Sequence, residues 1–237
     1  MMRINKYLAS VGVSARRKVD EMIVAGRVVV NGKRVALGTK IDPQKDEIFV
    51  DGRKIENVQK LVYIALNKPK GVTSTVSDSH AEETVLDLVK TKERVFPVGR
   101  LDLNSQGLIL LTNDGDLANH LIHPKYHVAK KYEVLIGGKV REITLERLRR
   151  GVILDGERTM PAEVKVKVRS EKSTLVEITL YEGRKRQIRR MCASFDLFVI
   201  YLKRVAIGPL SLGDLKEGQW RNLASEEIDS LKKAAGL

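Results

Sequence analysis

The run Gly99-Arg100-Leu101-Asp102-Leu103-Asn104-Ser105-Gln106-Gly107-Leu108-Ile109-Leu110-Leu111-Thr112-Asn113-Asp114-Gly115 sets one acid beside one base, then a polar turn, then an unbroken apolar stretch. Leu108 to Thr112 reads as a strand. Asp102 then stands at the mouth of a strand-turn-strand element with no second carboxylate beside it. Such a carboxylate suits nucleophilic or proton-transfer work. On these residues alone it reads first as a turn-forming aspartate.

The chain has 237 residues, 43% of them hydrophobic, enough for one large domain or for a small and a medium one. Its net charge of +13 favours a polyanionic partner, nucleic acid or an anionic membrane surface. No apolar run is long enough to cross a bilayer and no secretory signal core follows the first charges, so a cytoplasmic protein without a membrane partner is expected. Cys192 is the only cysteine, which excludes an internal disulfide and a thiolate metal cluster.

Basic residues concentrate at the start: 13 basic and 7 acidic residues fall in the first 60, against 30 and 23 in the remainder. Ile4, Tyr7, Leu8 and Val11 recur at helical spacing, and a second helix is expected from Ser14, with Val19, Met22 and Ile23 on one face. Arg16, Arg17 and Lys18 in its first turn oppose the helix dipole, which makes more sense where phosphates face them, although this run alone reads first as an ordinary solvated face. Strands are expected at Val28 to Val30, Lys33 to Leu37 and Ile48 to Val50, with turns at Asn31-Gly32 and Asp51-Gly52. The patterns Arg3-Ile4-Asn5-Lys6-Tyr7-Leu8, Ser14-Ala15-Arg16-Arg17 and Gly26 to Gly32 resemble the small RNA-binding module first described in a small-subunit ribosomal protein. That resemblance implies RNA contacts from Arg3, Lys6, Arg16, Arg17 and Lys18.

A second domain is expected over residues 61–237. Its strands are read at Val62 to Leu66, Leu108 to Thr112, Tyr132 to Ile136, Ala162 to Val168 and Leu175 to Tyr181. Helices are read at Asp116 to Leu121, Glu142 to Arg150 (capped by Gly151), Arg186 to Phe195 and Ser225 to Leu237. The fold class is therefore α+β: a small N-terminal helix-and-hairpin module over residues 1–60, then a mixed, mainly antiparallel sheet flanked by helices.

Several clusters could carry chemistry. Arg186, Arg189 and Arg190 project from one face of the helix after Gly183, while Ile188, Met191, Cys192 and Phe195 project from the other. Such guanidinium groups hold phosphates, pin a carboxylate or simply face solvent. Cys192 fits the apolar face better than a nucleophile's place. Lys130-Lys131-Tyr132 offers an aromatic beside two cations, suited to stacking on an unpaired base or to plain packing. His120, His123 and His127 are interrupted by Pro124 and lack ligand partners at metal spacing, so no metal is expected. No nucleophile elbow, Walker sequence or dinucleotide fingerprint occurs.

Lys68-Pro69-Lys70-Gly71, the Gly99 to Gly115 segment, Lys131-Tyr132 and the Gly183 to Met191 segment, in this order behind the basic module, resemble the pseudouridine synthases that modify single uridines of ribosomal RNA. The resemblance spans essentially the whole chain. It implies that uracil is detached from its ribose, rotated and rejoined through carbon, without cofactor or metal. Asp102 would be the nucleophile or the base acting on the sugar, Arg189 the charge partner that keeps it ionised, and Tyr132 the aromatic that stacks on the target base and acts in final proton removal. Ile188 would pack under the base and Arg100 would fill the gap left by the extruded uridine. Lys68, Lys131, Arg184 and Arg186 would join the RNA contacts. The expected partner is ribosomal RNA, a structured stem-loop or an assembling subunit, leaning to the large subunit, and the expected state is a monomer. The alternative is a non-catalytic RNA-binding protein acting in ribosome assembly. A DNA-binding regulator is disfavoured by the lack of a helix-turn-helix dimer or zinc unit.

Overall fold

Apolar residues at helical spacing produce two short helices near the N-terminus, α1 (Ile4–Ser10) and α2 (Arg16–Val24). The computed structural model describes residues 1–55, 60–76 and 83–237. It divides into two units, Met1–Leu61 with Thr91–Arg94, and Val62–Lys90 with Val95–Leu237.

In the first unit α2 begins two residues later than Ser14, because Ala15 is extended and no side chain caps the helix. A short strand β1 (Met2–Arg3) pairs with β4 (Lys40–Ile41), and β2 (Val28–Val30), β3 (Lys33–Arg34), β5 (Ile48–Val50) and β6 (Arg53–Lys54) form a four-stranded antiparallel sheet. Asn31 and Gly32, like Asp51 and Gly52, all have positive φ, the two-residue hairpin geometry that matches strand twist. Ile4, Leu8, Val19, Ile23, Val28 and Ile48 close a small core under the helices. Arg16, Arg17 and Lys18 stay exposed on the first turn of α2.

The second unit is built on a nine-stranded sheet. Its path runs β13 (Glu163–Arg169), β14 (Ser173–Leu180), β10 (Lys130–Gly137), β15 (Val199–Ile207), β9 (Gln106–Thr112), β7 (Tyr63–Lys68), β17 (Trp220–Asn222). β8 (Phe96–Pro97) pairs with β9 and β16 (Leu210–Ser211) with β15, and β11 (Ile153–Leu154) with β12 (Glu157–Arg158) forms a separate ribbon. Along the path the strand pairs are antiparallel except β9 with β15, whose parallel register covers only Gln106 opposite Lys203 and Gly107 opposite Arg204. The mixed, mainly antiparallel sheet anticipated from the sequence is therefore present, flanked by α3 (Gly115–Ile122), α4 (Glu142–Arg150), α5 (Gln187–Ala193) and α6 (Ser225–Ala234).

β9 explains its own burial. Leu108 to Leu111 are all fully buried, since alternate residues feed two cores on opposite faces: Leu108 and Leu110 pack with α3 and α6 residues, Ile109 and Leu111 with Ile64, Leu66 and Val85. The sequence reading assigns no element between Phe195 and Ser225, yet β15, β16 and β17 lie there. β15 carries no clean alternation, because Lys203 and Arg204 interrupt its apolar residues in succession. The helix read at Arg186 to Phe195 is shorter, since Arg186 is left-handed (φ 51°) and stands outside the first turn.

Candidate active site

Asp102 is held by backbone, not by its own side chain. Ser74 Oγ donates to Leu101 O (3.0 Å) and accepts from Leu101 N (3.1 Å), Gly71 N donates to Leu103 O (3.0 Å), and Ser105 N closes the turn onto Asp102 O (3.0 Å). Lys68 adds a fourth tie, its Nζ donating to Ser105 O (2.9 Å) and Pro69 O (2.8 Å). The segment from Lys68 to Ser74 is thus a cradle for the Leu101 to Ser105 turn. No hydrogen bond or ion pair engages the Asp102 carboxylate among the described residues, so it is free to face a ligand.

The turn opens on a cleft of about 350 Å³, within the usual range for small-molecule sites. Arg100, Asp102, Lys130, Tyr132, Ile188 and Arg204 line it. Lys130 and Tyr132 reach the same cleft because they are two apart on β10 and so share a sheet face. Arg204 is the cross-strand neighbour of Tyr132 and shares that face too.

Four expectations are corrected by these positions. Lys68 is 0% exposed and engaged by two carbonyl groups, so it cannot reach RNA as the resemblance implies. Lys131 projects from the opposite face to Tyr132 and lies 3.5 Å from Glu177, so Lys130 is the cation beside the aromatic. Arg189 makes no hydrogen bond with Asp102 among the described residues, although the Asp102 charge acts on its guanidinium. Its guanidinium donates to Asn104 O (2.8 Å) and Val199 O (3.1 Å), which pins the turn carrying Asp102, and no ion pair joins the two among the described residues. The expected row of three arginines is also broken. Arg186 precedes the helix and is exposed at the cleft, whereas Arg190 pairs with Asp155 at 2.5 Å.

Arg184 lines the cleft but is already engaged, donating to Glu182 Oε2 (3.1 Å) and to Arg158 O (2.8 Å). Arg100 is exposed at the rim and Ile188 is buried against the wall. Arg3 is exposed on β1, and Lys6 lies half-buried on α1. Arg16 reaches Asn5 Oδ1 at 3.5 Å and Lys18 lies 3.9 Å from Glu21.

Electrostatics at the cleft are strained by burial. Desolvation pushes Lys68 down to about 8, the charges of Asp102 and Glu217 offsetting part of the fall and Arg204 adding to it. Burial and then the Arg204 charge push Lys130 down to about 8. Burial and Arg186 lower Arg189 from its ordinary value, against the opposing pull of Asp102. Cys192, fully buried in the core, is pushed up to about 12 by burial, in keeping with a packing role. Among the described residues no group of three or more His, Cys, Asp or Glu is placed to hold a metal ion. His120 stacks on Tyr126 at 3.9 Å with its Nδ1 2.8 Å from Ala235 O.

Ser74 and Arg204 belong to the site, and sequence patterning does not single them out. The one available signal is an arginine in the middle of the apolar stretch Val199 to Ile207, since buried charge in a strand needs a reason.

Comparison with known proteins agrees with this geometry. A family model described as RNA pseudouridylate synthase matches residues 62–194, and an S4-domain model matches residues 2–48. An uncharacterized RNA pseudouridine synthase of Aquifex aeolicus is 44% identical over 100% of this chain and 96% of its own. Ribosomal large subunit pseudouridine synthase B of Bacillus subtilis is 40% identical over 99% of this chain and 97% of its own. Dual-specificity RNA pseudouridine synthase RluF of Escherichia coli K12 is 40% identical over 98% of this chain and 79% of its own. A solved crystal structure of a pseudouridylate synthase covers 98% of this chain and 100% of its own at 30% identity, with a TM-score of 0.69.

Proposed function

Because this chain belongs to the RNA pseudouridylate synthase family, we propose that it isomerises a uridine of large-subunit ribosomal RNA, with Asp102 as the reacting carboxylate. Uridine and pseudouridine are isomers, so the reaction needs neither oxidant nor co-substrate. It needs a carboxylate that acts on the sugar, a pocket that keeps the detached uracil, and a group that accepts the proton released from carbon. Asp102 acts on the sugar as nucleophile or base, and both roles require its ionised form. Tyr132 and Ile188 supply the walls between which a flipped base is held, and the Tyr132 hydroxyl is the candidate relay for the final proton, passing on its own as it takes the one from carbon, with the ring nitrogen freed from the sugar gaining a proton in balance. Arg189 acts through the turn it pins, keeping Asp102 in register with the cleft. Arg100 at the rim is placed to fill the gap in the RNA when the uridine leaves its stack.

The observation that carries this reading is a carboxylate held by four backbone ties, without a hydrogen-bonding partner among the described residues, in a cleft shared with Tyr132, Lys130 and Arg204. A structural aspartate would be engaged by its own turn. The large-subunit target is supported by the activity in the name of the Bacillus subtilis relative. Mapping pseudouridines across all ribosomal RNA from cells with and without this protein tests it. One position of the large-subunit RNA should lose its modification. Loss at a small-subunit position would overturn the target, and an unchanged map would overturn the catalytic reading.

RNA is delivered by the N-terminal module. Replacing Arg16, Arg17 and Lys18 together by Ala should weaken binding to a ribosomal RNA fragment at low salt and reduce the slope of log affinity against log salt by about 2 to 3, roughly one for each phosphate no longer neutralised. Binding titrations at several salt concentrations read this directly. An unchanged slope would show that these three side chains face solvent in the complex.

A further inference from the structure

We infer that Arg204 determines specificity in the base pocket, donating a hydrogen bond from its unpaired guanidinium nitrogen to a carbonyl oxygen of the target uracil. The inference rests on the assignment of the cleft as the uridine site. Arg204 is 3% exposed, deep in the sheet on β15. Its Nε donates to Leu108 O at 2.7 Å, which orients the guanidinium plane, while Nη2 is buried with no hydrogen-bond partner among the described residues. A buried N–H without an acceptor is costly and rare in folded proteins. Such a donor is explained when its acceptor arrives with the ligand.

The position of Arg204 says what that acceptor is. It lines the cleft beside Asp102 and is the cross-strand neighbour of Tyr132 on the same sheet face. A base lying against Tyr132 therefore brings its edge to the guanidinium. Phosphates remain on the RNA strand at the rim, where Arg100 and Arg186 are exposed. What enters the depth of the pocket is a neutral pyrimidine. Uracil presents two carbonyl oxygens, O2 and O4, as acceptors, whereas cytosine replaces the second by an amino group that is itself a donor. A donor at the pocket floor with its other bond fixed on Leu108 O accepts the first base and, at the O4 position, rejects the second. The same contact strengthens when the glycosidic bond breaks and its electron pair passes to the ring, because negative charge then spreads onto the carbonyl oxygens.

A purely structural arginine, tying β15 to β9 through Leu108 O, would also lower activity when removed, so the test must separate the two roles. Single-turnover rates are measured for the wild type, Arg204→Lys and Arg204→Gln on one RNA carrying uridine, 2-thiouridine or 4-thiouridine at the modified position, sulfur being the poorer acceptor. Arg204→Gln should slow the uridine reaction by about 10- to 100-fold. One thio substitution should slow the wild type comparably yet add less than about 3-fold in either variant, while the other acts additively. Full additivity of both analogues with both variants overturns the inference and leaves Arg204 a strand tie. Should Arg204→Gln fail to fold, Arg204→Lys and the wild-type rates on the two analogues decide it, and a wild type indifferent to both sulfurs overturns it. A wild type that leaves the uridine RNA unmodified overturns the functional assignment instead.

Discussion

Asp102→Asn should reduce pseudouridine formation at least roughly 1,000-fold while RNA affinity stays within about twofold. The carboxamide has the same shape, but it neither attacks a sugar carbon nor takes up a proton. What makes the result decisive is the way the turn is held. The bonds that place Asp102 run through Leu101 N and O, Leu103 O, Asp102 O and Ser105 O, and the side chain takes part in none of them. Stability should accordingly change by less than about 0.5 kcal/mol, and a melting curve superimposed on that of the wild type would assign the loss to chemistry. A variant that retains near-normal turnover would sink the assignment of Asp102 and return the protein to RNA binding without catalysis.

Gly107→Ala should destabilise the second unit by about 3 to 5 kcal/mol and abolish activity with it. Gly107 has φ 105°, which an L side chain adopts only with strain of about 1–3 kcal/mol. A Cβ there would also sit 2.3 Å from Arg204 O and 2.7 Å from Arg204 N, both of them backbone atoms of the neighbouring strand. Neither can move without opening the parallel pairing, so overpacking adds to the strain. Gly137→Ala provides the contrast. Its Cβ would meet the Phe198 ring even more closely, at 2.0 Å, but that ring is 66% exposed and free to turn outward. It should cost less than about 1 kcal/mol. Urea unfolding of the two variants side by side would show the difference, and equal costs would refute the packing argument.

Much of the site is legible in the sequence because it is local. The Gly99 to Gly115 run holds the Asp102 turn and the strand it feeds, and apolar spacing locates β10, β13, β14 and α4 to within a few residues. What escapes is decided by distant parts of the chain. Lys68 sits in Lys-Pro-Lys-Gly, which has the look of a basic surface turn, and only the Leu101 to Ser105 turn folding over it makes it interior. Tyr132 stands out as an aromatic among cations, but its lysine neighbour in the motif is not its neighbour in space, since strand alternation puts Lys130 and not Lys131 on its face. β15 is invisible because a strand in mid-sheet whose residues alternate between two environments, one of them a polar cleft, shows neither a helical nor a clean two-residue period. Arg189 reaches the turn of Asp102 by way of backbone carbonyl groups, a route that no pattern of residue types reveals.

The two-rung parallel seam between β9 and β15 has a consequence for biosynthesis. It joins Gly107 to Arg204, so the cleft is completed by segments made far apart in time on the ribosome. Loop closure over such a separation is paid before the contacts that reward it can form, which places assembly of the seam late in folding. A nascent chain that already displays its S4 module, its Asp102 turn and Tyr132 still lacks the pocket floor until Arg204 has left the exit tunnel. The lining of the cleft is therefore complete only once the chain has been made at least as far as Arg204, however early the segments that carry Asp102 and Tyr132 have folded.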